Sequence, residues 1–438
     1  MSVTRPAAHR GPRVEPRPDP HPVVSGEPDR PLDADAVREH VARTALRAGR
    51  PGTVGLELER HVVDLADPAT RVGWDRLTRV VDAYEAPAGS RLTLEPGGQV
   101  ELSTLPLPGP AEVVAALRRD GEHLDAVLAA DGLVLLSTGT DPARAPRRVH
   151  PGSRYTAMAE HFAGVGHAGD GAAMMCSTAS LQVNLEAGEP GEWATRVARL
   201  HRLAPVLVAL SACSPLLAGV DTGTRSARQG VWQRLEPARC RRPDGVTEDT
   251  DPAASWADFA AAAPVMFVRE PGDGRCTPVV RPVPMADWAA GRALLGGRRP
   301  TAADVDLHVS TLWPPVRLRG FLELRVLDAV PAAWWPGLVA VVTAALDDPR
   351  AADLAAEAAG PVASRAADAA RRGLTDAALA RAARGVVDAA LPAVPAPLRA
   401  AVEAWAALLE DGRGPADLVL DRARRSGPTG CLTAEELR

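Results

Sequence analysis

Aliphatic and polar residues alternate in four separated stretches of this chain. They are Gly55-Leu56-Glu57-Leu58-Glu59, Gln99-Val100-Glu101-Leu102, Leu181-Gln182-Val183-Asn184-Leu185 and Leu322-Glu323-Leu324-Arg325-Val326. A period of two marks a strand with one face on a core, because i and i+2 point the same way. The polar sets are then Glu57 with Glu59, Gln99 with Glu101, Gln182 with Asn184, and Glu323 with Arg325. Pro96-Gly97-Gly98 is a turn signal, so Glu95 lies before a bend and Gln99 after it. Leu133 to Ser137 reads as a buried strand. Ala172 to Glu186 reads as one long strand, with short strands at Pro264 to Val268 and Thr277 to Val283.

Other stretches carry helical spacing. Asp33 to Ala48 places Val37, Val41 and Leu46 on one face and is closed by Gly49. Pro110 to Ala130 follows, then a short helix begun by Arg154, Tyr155 and Met158. Glu192 to Ala212 is long and apolar, with Pro205 as a kink signal, and another helix starts at Met285. From Ala332 onward the chain is alanine-rich and helical, with Thr375 as an N-cap. Pro392 to Pro397 interrupts it before Leu398 to Leu409.

With 438 residues, the chain can bury a large core. Residues 1–34 hold too few large apolar groups to order themselves and read as a disordered tail. Residues 35–330 read as a catalytic core and 331–438 as a helical region packed on it. A formal net charge of −5 gives no basic excess for nucleic acid. No run is long enough to span a membrane. The five cysteines lie far apart without zinc-like spacing, as expected of reduced thiols in a cytoplasm.

Every basic residue apart from histidine is arginine, and lysine is absent. A Walker-type phosphate loop needs its lysine, so a nucleotide would have to be held by metals and arginines. Gly164-Val165-Gly166-His167-Ala168-Gly169 matches GxGxxG, but helix-like sequence precedes it and strand-like sequence follows. The dinucleotide reading needs the reverse order, so this segment reads as a flexible loop able to cover a substrate.

Carboxylates gathered on one sheet face repel unless protons or cations intervene. Glu57, Glu59, Glu101 and Glu95 therefore point to magnesium, which prefers oxygen ligands shared with phosphates. Alternating glutamates on a solvated strand account for Glu57 and Glu59 alone equally well. Arg225, Arg228 and Trp232 suit an anion beside an aromatic ring, although an arginine-rich surface helix is the simpler reading of that segment.

Six motifs, in order over about 50–330, resemble the glutamate–cysteine ligases of the plant and bacterial carboxylate–amine ligase type. They are GLELE at 55–59, LEPGGQVELS at 94–103, RYTAM at 154–158, MMCSTASLQVNLE at 174–186, RSARQGVW at 225–232 and FLELRVLDA at 321–329. Within that family, STASLQVN and GVWQRLEPARC favour the actinobacterial branch that makes γ-glutamylcysteine for ergothioneine synthesis. The resemblance implies an α+β fold with a glutamine-synthetase-like core, in which a curved, mainly antiparallel sheet forms a funnel flanked by helices. It implies ATP and Mg2+, phosphorylation of the glutamate γ-carboxylate, and attack by the cysteine amine.

Residue by residue, the resemblance makes Glu57, Glu59, Glu95, Glu101 and Glu323 metal ligands. Arg325, with Glu57 and Glu59, is catalytic, and Gln182 and Asn184 bind nucleotide or glutamate. Arg154, Tyr155, Arg225, Arg228 and Trp232 line the amino-acid pockets. His161-Phe162 departs from the aromatic pair expected in many relatives, which leaves a detail of pocket lining open. Two other readings remain: a ligase of this family with a different amine acceptor, and a binding protein that kept the fold, although all five acids are present.

Overall fold

A computed structural model describes residues 30–270, 272 and 274–438. Most of the expected disordered tail, residues 1–29, lies outside the described residues. The tail ends earlier than its composition suggests. The Leu32 N–H donates to the Pro300 carbonyl at 2.8 Å, and Asp33 caps the first helix, Ala34–Ala45, by accepting from the Ala36 N–H.

Among the described residues twelve strands form, in chain order: β1 (Thr53–Asp64), β2 (Arg91–Leu94), β3 (Val100–Ser103), β4 (Leu107–Pro108), β5 (Leu133–Leu136), β6 (Ser180–Leu185), β7 (Leu216–Leu217), β8 (Val220–Asp221), β9 (Phe267–Arg269), β10 (Cys276–Pro278), β11 (Val316–Leu318) and β12 (Leu322–Asp328). Eight belong to one open sheet of order β11-β12-β6-β1-β3-β2, with β4 and β5 pairing to β1 off that path. All of its ladders are antiparallel. β6 thus lies between β1 and β12, which brings distant parts of the chain together.

The aliphatic side of the alternation is buried. Leu56, Leu102, Val183, Leu185, Leu322 and Leu324 are each at most 1 % exposed. They belong to one core with Leu117 and Leu124 of the helix Gly109–Ala130, Leu203 and Leu207 of Trp193–Ser211, and Val339 and Val342 of Trp335–Asp347. Each such side chain contributes about 1.5–3 kcal/mol when removed from water. The alanine-rich helices after 330 continue this core, through Ala355, Ala383 and Val386. Small side chains let those helices approach closely. Pro205 sits inside its helix without ending it.

Four expectations change. Ala172 to Ser177 is the end of a helix, Ala168–Ser177, and only Ser180–Leu185 is strand. Alanine and methionine favour helix, and alternation begins only at Leu181. The glycine segment at 164–169 is accordingly a helix end, a short turn and a helix start, with Gly171 packed on the Phe162 ring. A helix still precedes it, so the dinucleotide reading fails as expected. The first helix stops at Ala45, because Leu46 bridges to Gly320 and the Arg47 N–H donates to the Gly320 carbonyl. Asp376, not Thr375, caps Ala377–Ala390; it accepts from the Ala378 and Leu379 N–H groups.

The cysteines are free thiols, all five buried. Among the described residues no helix is long and apolar enough to cross a membrane.

Candidate active site

Strand register assembles the polar face. Glu57 stands opposite Gln182 on one side and Ser103 on the other, and Glu59 stands opposite Glu101. Asn184 pairs with both Gly55 and Glu323. The side chains connect across this register. Asn184 Nδ2 donates to Glu57 Oε1 at 3.0 Å, and Gln182 Nε2 lies 3.5 Å from Glu59 Oε1. Glu57, Glu59, Glu101, Glu323, Gln182 and Asn184 therefore share one face.

On the β1–β3–β2 side the face is acidic. Ser103 Oγ and Thr93 Oγ1 donate to Glu101 Oε1 at 2.9 and 3.2 Å. Burial, then the charges of Glu101 and Glu323, push the Glu57 carboxyl up to about 7. Burial also raises Glu59, Glu101 and Glu95, with neighbouring carboxylates adding to each. Glu95 reaches the cluster through a tight turn in which the Glu95 N–H donates to the Gln99 carbonyl and the Gly98 N–H to the Glu95 carbonyl. Gly97 is required there: a Cβ would lie 2.3 Å from the Cys176 carbonyl. The turn is also pinned from outside. The Pro96 carbonyl accepts from Val149 and His150, and Arg71 links the Gly97 carbonyl, Ser177 Oγ and Asp141.

On the β11–β12 side arginine dominates. Arg317 grips Glu323 with two hydrogen bonds, Nε to Oε2 at 2.5 Å and Nη2 to Oε1 at 2.9 Å. Arg319 Nη1 donates to Oε1 and Arg325 Nη1 to Oε2, both at 3.0 Å. Burial alone would raise the Glu323 carboxyl, but these three guanidiniums outweigh it and hold it well below the usual range. A bulge follows, since Leu324 pairs with Val183 while Leu327 pairs with Leu181. Bulges re-aim side chains, and Arg325 here also donates to Gln182 Oε1 at 2.5 Å. Arg228 is 2 % exposed. Its Nη2 donates to the Arg325 carbonyl, its Nη1 is 3.7 Å from Asp328, and its Nε and Nη1 make no hydrogen bond.

Other expected site residues are distributed unevenly. Arg154 lies at the acidic edge, close enough to lower the Glu95 carboxyl against its burial; it also donates to Ser310 and sits over the Phe267 ring. Tyr155 packs on His150, one of the residues that hold Pro96. Trp232 packs on Trp313, and its buried Nε1 has no hydrogen-bond partner. Arg225 points elsewhere: it pairs with Asp417 of the helix Pro415–Cys431 at 3.0 Å. It precedes the helix Ala227–Arg234, whose cap is Ser226, so it does not share the direction of Arg228. His161 is buried, with Nε2 2.9 Å from Glu236, and Phe162 packs on Trp313. Sequence reading missed Arg317 and Arg319, although Val316-Arg317-Leu318-Arg319 shows the same alternation. It also missed the local pair of Asp141 and Arg144, three residues apart, and Arg71, which joins Asp141 from a distant segment.

The donors fit a divalent cation. Buried carboxylates that repel one another gain from a cation between them, and Asn184 Oδ1 is buried without a partner. Among the described residues no three His, Cys, Asp or Glu side chains form a compact metal cage. Magnesium does not need one, since it usually keeps waters and shares a few carboxylates with substrate phosphates. Glu323 is the exception: its four hydrogen bonds occupy both oxygens, so it reaches a cation only by giving up an arginine.

Known proteins resemble this chain over most of its length. The chain is 49% identical over 395 residues to glutamate–cysteine ligase EgtA of Mycolicibacterium smegmatis, covering 90% of this chain and 92% of that one. It is 44% identical over 403 residues to the Mycobacterium tuberculosis EgtA, covering 92% and 93%. The fold matches a Francisella tularensis glutamate–cysteine ligase solved in complex with AMP, with TM-score 0.52, 13% identity, and 88% and 87% of the two chains covered. The α+β architecture of this chain is thus the fold of that solved glutamate–cysteine ligase. Residues 53–435 match one family throughout, and this chain belongs to glutamate–cysteine ligase family 2.

Proposed function

We propose that this enzyme joins the γ-carboxylate of L-glutamate to the amine of L-cysteine, with conversion of ATP to ADP and phosphate, as the step that supplies γ-glutamylcysteine for ergothioneine synthesis. The identity to the EgtA ligases supports the reaction. The observation that carries it in this chain is the division of one sheet face into an acidic half and an arginine half. Phosphoryl transfer needs little covalent help from a protein; it needs positioning and neutralised charge.

Glu57, Glu59, Glu95 and Glu101 are the proposed Mg2+ ligands, with Glu323 joining them if an arginine moves off it. Mg2+ held by these carboxylates would supply positive charge to offset the charge that develops on the transferred phosphoryl group. Arg325 and Arg228 face the transferred phosphoryl group, where a fixed cation lowers the barrier as charge develops. Gln182 and Asn184 orient the nucleotide phosphates or glutamate while holding Glu59 and Glu57 in place. Arg154 and Tyr155 bind the amino-acid substrates at the Glu95 edge, and Trp232 lines the same pocket. Arg225 has no role in this reading. The free thiols are consistent with a reducing cytoplasm.

An assay of ADP release with glutamate and a panel of amines tests the acceptor. Cysteine should give the fastest release. Release no faster than with alanine would remove cysteine from the assignment and leave a ligase of another amine.

A further inference from the structure

We propose that Gln99 is a positioning residue: it ties the turn that carries Glu95 to the segment that holds Glu57 and Glu59, so that these acids meet one cation together. The proposal rests on the metal assignment in the ligase reading above and adds a residue to it.

Gln99 is 2% exposed and takes part in two bonds that meet at one residue. Its carbonyl accepts from the Glu95 N–H at 2.8 Å, which closes the turn. Its side-chain Nε2 donates to the Thr178 carbonyl, also at 2.8 Å. A carbonyl only accepts, so the amide nitrogen faces it and Oε1 points away. That Oε1 is buried with no hydrogen-bond partner, so the bond to Thr178 is the one that holds the side chain. A shift of Gln99 passes directly to the backbone of Glu95.

Thr178 is a firm anchor. Its Oγ1 donates to the Met174 carbonyl at 2.6 Å, it bridges to Thr140, and the Ala179 N–H donates to the Gly139 carbonyl at 3.0 Å. β6 begins at Ser180. Ser180, Gln182 and Asn184 share one face of it, since side chains alternate. Ser180 hydrogen-bonds Glu59, Gln182 lies beside Glu59, and Asn184 donates to Glu57. One run from Thr178 to Asn184 thus sets the place of three acids that come from two other parts of the chain.

The other supports of the turn act differently. Val149 and His150 hold the Pro96 carbonyl to a separate loop. Arg71 reaches the Gly97 carbonyl at 3.4 Å, a long bond and a weak one. Its guanidinium is also engaged by Ser177, Asp141 and the carbonyls of Arg144 and Ala145. The short bond from Gln99 is therefore the closer tie between Glu95 and the strand that serves Glu57 and Glu59.

The test is Mn2+ binding, followed by the electron paramagnetic resonance signal of the free ion. It is run on wild type, Gln99→Met, Glu95→Gln and the double variant, with Tm measured on each. Met keeps the length of the side chain and removes the donor. We expect Gln99→Met to weaken Mn2+ about tenfold, at the lower end for groups that orient metal ligands. In the Glu95→Gln background, where Glu57, Glu59 and Glu101 still hold the ion, the same change should alter affinity less than about twofold. A residue that merely satisfies the Thr178 carbonyl would lower Tm and leave Mn2+ affinity alone. Wild-type affinity in Gln99→Met, or an equal loss in both backgrounds, overturns the proposal. If Gln99→Met fails to fold, wild-type affinity in Gln99→Asn, whose amide is one methylene short of Thr178, overturns it instead. Wild-type affinity in Glu95→Gln removes Glu95 from the metal set and this role with it, while ADP release with glutamate and cysteine still tests the ligase reading separately.

Discussion

Glu57 and Glu323 are the same residue type on one face of one sheet, two strands apart, and the protein treats them oppositely. Glu57 has an amide beside it and carboxylates around it, and its carboxyl rises to about 7. Glu323 has three arginines and falls well below the usual range despite complete burial. Burial is common to both, so burial does not decide the charge; the neighbours do. One half of the face is short of positive charge and the other has too much. A metal–triphosphate complex carries both signs in the matching order, which is why the contrast supports phosphoryl transfer better than either half alone.

The largest test of the contrast is to neutralise the acidic half. Glu57→Gln or Glu59→Gln should lower kcat by at least about 10³-fold, at the upper end for loss of one preorganised electrostatic group, with near-wild-type circular dichroism. Turnover within tenfold of wild type would remove these acids from metal binding. Next is the other half: Arg325→Ala should cost about 10²-fold in kcat/KM, with no change in the Mg2+ concentration that gives half-maximal rate. A shift in that concentration as large as the one for Glu59→Gln would mean that the halves do not work separately.

A smaller effect concerns stability. Without metal, a carboxyl raised from 4.5 to about 7 binds its proton more tightly in the folded state. Folded protein then holds more protons than unfolded protein between those values, and stability falls as pH rises through them. Glu57→Gln removes this penalty. Thermal unfolding in a chelator should show no advantage for the variant near pH 4.5 and a growing one up to pH 8, with Mg2+ erasing the difference. An advantage independent of pH would mean that Glu57 does not titrate in this window. The smallest effect is Arg225→Ala. Its half-buried ion pair with Asp417 contributes about 1 kcal/mol or less, so Tm should drop slightly and kcat/KM should stay within twofold. A tenfold loss of kcat/KM would return Arg225 to the substrate pocket.

Strand alternation made the acidic half legible from sequence. A period of two places Glu57 with Glu59 on one face of their strand and Gln99 with Glu101 on one face of theirs; the register that sets Glu59 opposite Glu101 joins the two, and the Pro-Gly-Gly turn locates Glu95. Arg317 and Arg319 alternate equally clearly, but in a chain whose cations are all arginine they do not stand out. Arg225 looked like a partner of Arg228 because they are three residues apart. The cap at Ser226 separates their directions, and spacing cannot show a cap's geometry. The link from Arg71 to Asp141 was not legible, since the two are far apart in sequence and meet only after folding; Asp141 and Arg144 are a local pair three residues apart, but that spacing alone gave no reason to single them out. The helix at Ala168–Ser177 was hidden because polar alternation begins immediately after it.

The buried cysteines bear on the chemistry of a thiol acceptor. Exchange with an oxidised thiol requires a thiolate that the reagent can reach. Here burial pushes Cys176 and Cys431 up to about 11 and Cys240 to about 12, and all five are shielded from solvent. A protein built this way can hold free cysteine, or meet its oxidised dimer, without being trapped as a mixed disulfide.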